Sequence, residues 1–206
     1  MTLPPLLAGL NESLLPMELE CDSGAGPVRH SAVLLLLYPR NGQVHFVLTR
    51  RRDDLTRHPG QVSLPGGVAE EQDGSLWDTA VRETCEEICL RPGRLVRLGR
   101  LDSYHLRMTD YVIHPFVAWN PARPVLSPDD REVAEIIEEP LSRLINPSCL
   151  AEETWEFRDQ QWLVTFYRLG EVKVWGATAH ILSDLARRLR PDWNPGSSRP
   201  GDVRAL

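Results

Sequence analysis

Asn41-Gly42 stands between two β-rich runs, Ala-Val-Leu-Leu-Leu-Leu-Tyr at residues 32–38 and Val-His-Phe-Val-Leu-Thr at residues 44–49. Asn-Gly is a strong signal for a two-residue hairpin, because the turn that suits twisted strands needs positive φ at both central positions. The pattern predicts two antiparallel strands at the start of the fold. A chain of 206 residues suits one domain with one core. A composition of 42% hydrophobic and 25% charged residues excludes wholesale disorder and collagen-like repeats. The run at 32–38 is also the longest apolar stretch, far short of the ~20 residues of a membrane-spanning helix.

Charge narrows the function classes. Lys and Arg total 23 against 29 for Asp and Glu, a net charge of −6, so no pervasive basic field exists to hold a nucleic-acid backbone. No Lys or Arg precedes Arg29, and Pro4 and Pro5 interrupt the first apolar stretch, which argues against a signal peptide. Arg204-Ala205-Leu206 is not a lipidation or peroxisomal motif. A soluble cytoplasmic protein is expected. Cys21, Cys85, Cys89 and Cys149 show no paired zinc spacing and read as small apolar residues in a reducing compartment.

Residues 1–28 read as a lead-in, ending in the turn-rich Asp22-Ser23-Gly24-Ala25-Gly26-Pro27; residues 29–190 form the domain, and residues 191–206 read as a disordered tail. Residues 50–67 are too rich in charge and breakers for a packed element and read as an active-site-type loop. From 76 to 90, Trp77, Ala80, Val81, Thr84, Cys85 and Ile88 recur at helical spacing, behind a capping box from Ser75 to Asp78. Strands are expected at about 96–104, 111–119 and 132–138, with Pro140 ending the last before a short helical piece through Ile145. A hairpin is expected from 154–158 and 162–168. A second long helix at 177–190 turns Ala179, Ile181, Leu182, Leu185 and Leu189 inward and stops at Pro191.

The first long helix carries Glu83, Glu86 and Glu87 at i, i+3 and i+4, which places neighbouring Cβ atoms ~5–6 Å apart on one strip. Each like-charged pair costs a helix about 0.2–0.5 kcal/mol, so a cation should offset the cluster. Carboxylate oxygens suit a hard divalent ion, and Mg²⁺ is commonly held by carboxylates, water and substrate phosphate. Arg82 can reach Glu86 at i+4 and fix its rotamer. Without further context, a solvated acidic face is the more ordinary explanation of the cluster.

The context is a Gly-rich turn and an acid upstream, Gly67-x5-Asp73-x8-Arg82-Glu83-Thr84-x-Glu86-Glu87-x-Cys89-Leu90. This resembles the Nudix box, Gly-x5-Glu-x7-Arg-Glu-aliphatic-x-Glu-Glu-x-Gly-aliphatic. One residue is inserted before Arg82, Asp73 replaces the first Glu, Thr84 an aliphatic residue, and Cys89 the Gly, a change expected to leave the helix end less tightly turned. The insertion and Asp73 resemble the coenzyme A pyrophosphatase branch, with its signature Leu-Thr-x-Arg-Ser/Ala-x3-Arg-x3-Gly-x3-Phe-Pro-Gly-Gly. Leu48-Thr49, Arg51, Gly60 and Pro65-Gly66-Gly67 match in register. Arg52 replaces the small residue, Thr56 the second Arg, and Leu64 the Phe; Arg57, one place along, is a substitute for the missing Arg. Residues 132–141 and 174–179 also look like this branch, so the likeness spans about residues 30–187.

The resemblance implies an α/β fold, a Nudix-type α/β/α sandwich with a central mixed β-sheet. It implies metal-dependent hydrolysis of the pyrophosphate bond of coenzyme A or its acyl derivatives, giving 3′,5′-ADP and (acyl-)4′-phosphopantetheine. Rival readings are a Nudix enzyme for ADP-ribose, NADH or nucleoside triphosphates, and a non-catalytic ligand sensor; the intact Arg82, Glu83, Glu86 and Glu87 argue against the sensor. Those four residues are the implied catalytic set, with Mg²⁺ or Mn²⁺ on Glu83, Glu86 and Glu87. Glu86 is either a third metal ligand or the general base, and Glu152 and Glu153 stay open as alternative bases. Arg51 and Arg57 are implied to bind substrate phosphate, with Arg51, which matches the signature in register, the first choice. Gly66 and Gly67 either turn backbone N–H groups toward phosphate or simply make a turn. His180 reads as structural, and Trp175 as core or a wall beside the site. The partner is a small nucleotide substrate of the coenzyme A type, with no nucleic acid and no membrane; assembly as a homodimer stays open.

Overall fold

The computed structural model describes residues 3–17, 28–106, 110–157, 159–193 and 199–205. The first half runs α1 (Pro5–Ser13), β1 (Arg29–Arg40), β2 (Gln43–Arg51), β3 (Val62–Ser63), β4 (Gly66–Val68), α2 (Leu76–Ile88), β5 (Val96–Arg100), β6 (Tyr104–Leu106) and β7 (Tyr111–Trp119). The second half runs β8 (Val133–Pro140), short 3-10 turns at Leu141–Ile145 and Pro147–Cys149, β9 (Leu150–Phe157), β10 (Gln160–Leu169), β11 (Val172–Val174), α3 (Gly176–Leu189) and β12 (Val203–Ala205).

β1 and β2 form the expected hairpin, with Asn41 at φ 50° and Gly42 at φ 75°, positive at both central positions. They lie in an eight-stranded sheet with the order β3-β2-β1-β7-β5, to which β4, β8 and β6 add on β1, β2 and β7. β1 and β7 are parallel while the other pairs are antiparallel, so the sheet is mixed. β1 alternates its burial between two layers. Leu34, Leu36 and Tyr38 pack toward α2 with Trp77, Ala80 and Ile88, whereas Leu35 and Leu37 join Leu7 and Leu10 of α1 and Ile181, Leu182 and Leu185 of α3. A strand buried on both faces and covered by helices on each is the α/β sandwich expected from the sequence. No helix among the described residues is long and apolar enough to cross a membrane.

Several local expectations need correction. The loop at 50–67 is partly sheet, since β3 pairs with the end of β2 and β4 with β1. The strand expected at 96–104 divides, β5 ending at Arg100 and β6 starting at Tyr104. The lead-in is part of the core, as Leu7 is 0% and Leu10 1% exposed. Parts of 191–206 pack on the domain: Trp193 is buried, and β12 pairs antiparallel with β10, Val203 opposite Val164. Cys21 and the turn-rich run at 22–27 lie outside the described residues.

Candidate active site

Ser75 caps α2 as expected: its hydroxyl accepts the Asp78 N–H at 3.2 Å and donates to the Asp78 carboxylate at 2.7 Å. Its far end is turned by Cys89 in the left-handed region, φ 53° and ψ 33°. The tight turn expected of a Gly is therefore made, with a side chain in a conformation that costs roughly 1–2 kcal/mol. The last carbonyls of α2 are not left to solvent. The Ser127 N–H donates to the Ile88 carbonyl at 3.1 Å and the Asp129 N–H to that of Glu87 at 2.8 Å, which fastens the loop before β8 beside the acidic strip.

That strip lines a cleft of about 250 Å³ formed by Glu83, Glu86, Glu87, Asp129, Arg131 and Glu132. All three box glutamates are thus brought together, and they are not equivalent. Glu86 is exposed, Glu83 half-buried and Glu87 only 8% exposed. Burial raises the proton affinity of Glu83. Burial, with the charge of Glu83 added, pushes Glu87 up to about 8, against the weaker opposing effects of Arg51 and the Thr49 hydroxyl. Thr49 donates to Glu87 Oε2 at 3.4 Å. Asp129 and Glu132 were not among the residues expected at the site; Glu132 begins the family-like run at 132–141, and that was the only signal for it.

Arg82 does more than orient Glu86. Its Nε and Nη2 fork onto the two oxygens of Asp73 at 2.8 and 3.0 Å, Nη2 also donates to the Val68 carbonyl at 3.2 Å, and Nη1 reaches Glu83 at 3.0 Å. The Glu86 contact, at 3.4 Å, is the longest of the set. Arg82 therefore ties the turn before the helix to the helix itself and holds Asp73 well below the usual carboxylate range. Thr79 adds a hydroxyl donor to Asp73 at 2.8 Å.

The two glycines have separate packing reasons. Gly66, at φ 151°, pairs with Val33, and a Cβ there would sit 2.3 Å from the Ala32 carbonyl oxygen. A Cβ on Gly67 would lie 2.4 Å from Cδ of Glu83. Gly67 is thus the floor beneath the Glu83 carboxylate, and a side chain there would displace that carboxylate.

Among the basic residues, Arg50 pairs with Glu135 at 3.1 Å, Arg51 with Glu132 at 3.3 Å and Arg52 with Asp54 at 2.6 Å. Arg57 makes no ion pair among the described residues. It lines, with Arg51 and His58, a second cleft of about 1270 Å³. The Arg51–Glu132 pair forms the border of the two clefts, since Arg51 lines the larger and Glu132 the acidic one. His180, expected to be structural, also faces the larger cleft. Trp175 packs edge-on to Trp155 with ring centroids 5.2 Å apart. Glu152 accepts from Thr165, and Glu153 pairs with Arg168 and Lys173; neither lines the acidic cleft.

No three carboxylate, imidazole or thiolate side chains among the described residues converge into a ready-made cation cage. The donor set still fits a divalent ion. All its donors are hard oxygens, and Glu87 is a carboxyl that burial makes costly to ionise, a cost that a bound cation would offset.

The sequence model of the NUDIX domain matches residues 28–171. The chain is 36% identical over 162 residues to the Nudix hydrolase NudL of Photorhabdus laumondii, covering 79% of this chain and 86% of that one. It is 31% identical over 192 residues to NudL of Pectobacterium atrosepticum, covering 91% and 98%. Among solved structures, the M. smegmatis Nudix hydrolase RenU aligns with a TM-score of 0.48 at 21% identity, over 59% of this chain and 78% of that one.

Proposed function

The chain belongs to the Nudix hydrolases, and we propose that it is a divalent-metal-dependent pyrophosphatase that cleaves coenzyme A or its acyl derivatives into 3′,5′-ADP and (acyl-)4′-phosphopantetheine. The observation that carries this reading is the convergence of Glu83, Glu86 and Glu87 on one acidic cleft that borders a larger cleft lined by Arg57, a cation with no ion pair among the described residues. Mg²⁺ or Mn²⁺ held by Glu83 and Glu87 would neutralise pyrophosphate charge and acidify a water for in-line attack. Glu87 supplies the buried carboxylate and Glu83 the one seated on Gly67. Glu86, exposed and held only by the long Arg82 contact, is free to accept the proton of the attacking water at its carboxylate oxygen. Arg82 holds Asp73 and Glu83 in place and takes no part in proton transfer.

Coenzyme A differs from ADP-ribose and NADH by a 3′-phosphate. Arg51 commits one N–H to Glu132, whereas Arg57 makes no ion pair among the described residues, so Arg57 is taken as the partner for that group. A charge-assisted contact is worth roughly 1.5–3 kcal/mol, so dephospho-coenzyme A should show a kcat/KM about 10- to 100-fold lower than coenzyme A. Kinetics of both substrates with the wild type and Arg57→Ala test this as a double cycle. Arg57→Ala should erase most of the difference. Equal wild-type constants refute 3′-phosphate recognition, and faster turnover of ADP-ribose moves the enzyme to that substrate class.

A further inference from the structure

The larger cleft is walled by the chain's own C-terminal segment, which the sequence alone did not connect to any site. Gly201 and Asp202 are held on β10, the Gly201 N–H donating to the Thr165 carbonyl at 2.9 Å and the Thr165 N–H to that of Asp202 at 3.0 Å. Gly201, at φ 93°, presses against α3 so closely that a Cβ would lie 2.5 Å from the Gly176 carbonyl oxygen and 2.9 Å from the His180 nitrogen. His180 in turn meets Tyr104 of β6, their ring centroids 4.6 Å apart and tilted by 45°. Both rings line the cleft, together with His105, Tyr111 and Asp202.

The geometry points to this cleft as the seat of the base of a nucleotide substrate, with Tyr104 and His180 as its stacking wall and Gly201–Val203 as the backing that fixes His180. Aromatic rings of this kind bind the flat face of any base, and a carboxylate at the edge accepts from an exocyclic amine. Burial lowers the proton affinity of His180 and keeps its ring neutral at neutral pH, which removes a desolvation penalty on stacking. Arg57 and His58, on the same cleft, are placed for the phosphates, and Arg51 marks the border where the diphosphate reaches the acidic cleft. This assignment rests on the pyrophosphatase reading for its direction, from base to diphosphate.

Binding of AMP to the protein in EDTA tests the assignment apart from turnover. Wild-type protein should bind AMP at least about 10-fold more tightly than ribose 5-phosphate, because only AMP offers a base to stack. Tyr104→Ala and His180→Ala should each weaken AMP by about 10-fold and raise KM by a similar factor, with kcat within about 3-fold of wild type. Tyr104→Phe should keep wild-type affinity. Gly201→Ala should move both constants in the same direction as His180→Ala. Equal binding of AMP and ribose 5-phosphate by the wild type, or unchanged AMP binding in the folded alanine variants, overturns the assignment. If no pyrophosphate substrate is cleaved but Tyr104→Ala still loses AMP, the cleft assignment stands and the pyrophosphatase reading falls. If the wild type turns over a pyrophosphate substrate yet binds AMP and ribose 5-phosphate equally, the pyrophosphatase reading stands and the cleft assignment falls.

Discussion

At the scale of single residues, Glu87 carries its charge at a cost, being 8% exposed, beside Glu83 and served by one 3.4 Å hydrogen bond. Its proton affinity in the fold, near pH 8, lies above the unfolded value of 4.5. Between these limits the folded state binds the extra proton, so the contribution to stability is complete below about pH 4.5 and is lost as pH rises through 8. At ~1.36 kcal/mol per pKa unit the full span is at most about 5 kcal/mol. Thermal melts in EDTA should show Glu87→Gln gaining on wild type from pH 5 to 8 and at least equalling it at pH 8, while turnover with metal falls at least ~100-fold. Parallel melting profiles for the two proteins would contradict this. Arg82 is the second such residue. Arg82→Lys keeps the charge but not the fork on Asp73, and should lower turnover at least ~10-fold and stability by about 1–3 kcal/mol. Wild-type turnover and melting temperature in this variant would remove the positioning role. The partnership of Arg82 with Asp73 was hard to read from sequence, because i, i+4 spacing singles out Glu86 while Asp73 is brought back by a turn.

At the scale of elements, α2 and β4 act as one unit, because the floor of Glu83 is Gly67 and Arg82 bonds the carbonyl of Val68. Gly67→Ala should displace the Glu83 carboxylate and cut turnover at least ~10-fold, with a circular dichroism spectrum like that of wild type. Full activity in the alanine variant would show that Glu83 tolerates displacement. The other end of α2 allows a gain. Cys89→Gly removes left-handed strain of roughly 1–2 kcal/mol but adds unfolded-state freedom worth about 0.4–1 kcal/mol, so denaturant titration should show a net rise of about 0.5–1 kcal/mol. A loss of stability would mean that the Cys89 side chain packs favourably in its turn. α2 was legible from its period, its capping box and its glutamates because all three are local signals. The short strands β3 and β4 were not, since each exists only by pairing with β2 or β1.

At the scale of the whole molecule, β1 determines the layering, since its even-numbered leucines face α2 and its odd-numbered ones face α1 and α3. The hairpin and the two long helices were readable because their patterns repeat within a few residues. The terminal pieces were not: α1 packs on α3, more than a hundred residues away, and β12 pairs with β10, some forty residues away, and composition alone made them look like flanking sequence. The same holds for the site, where Glu83, Glu86 and Glu87 were visible as a strip while Glu132 and His180 depended on the fold to bring them in. The direct test of the central claim is the initial rate of coenzyme A hydrolysis as a function of Mg²⁺ or Mn²⁺, for wild type and Glu83→Gln, with both products identified. The account predicts saturable metal dependence, release of 3′,5′-ADP with 4′-phosphopantetheine, and a rate at least ~100-fold lower in Glu83→Gln. Hydrolysis that persists in EDTA, or equal rates for the two proteins at every metal concentration, would contradict it.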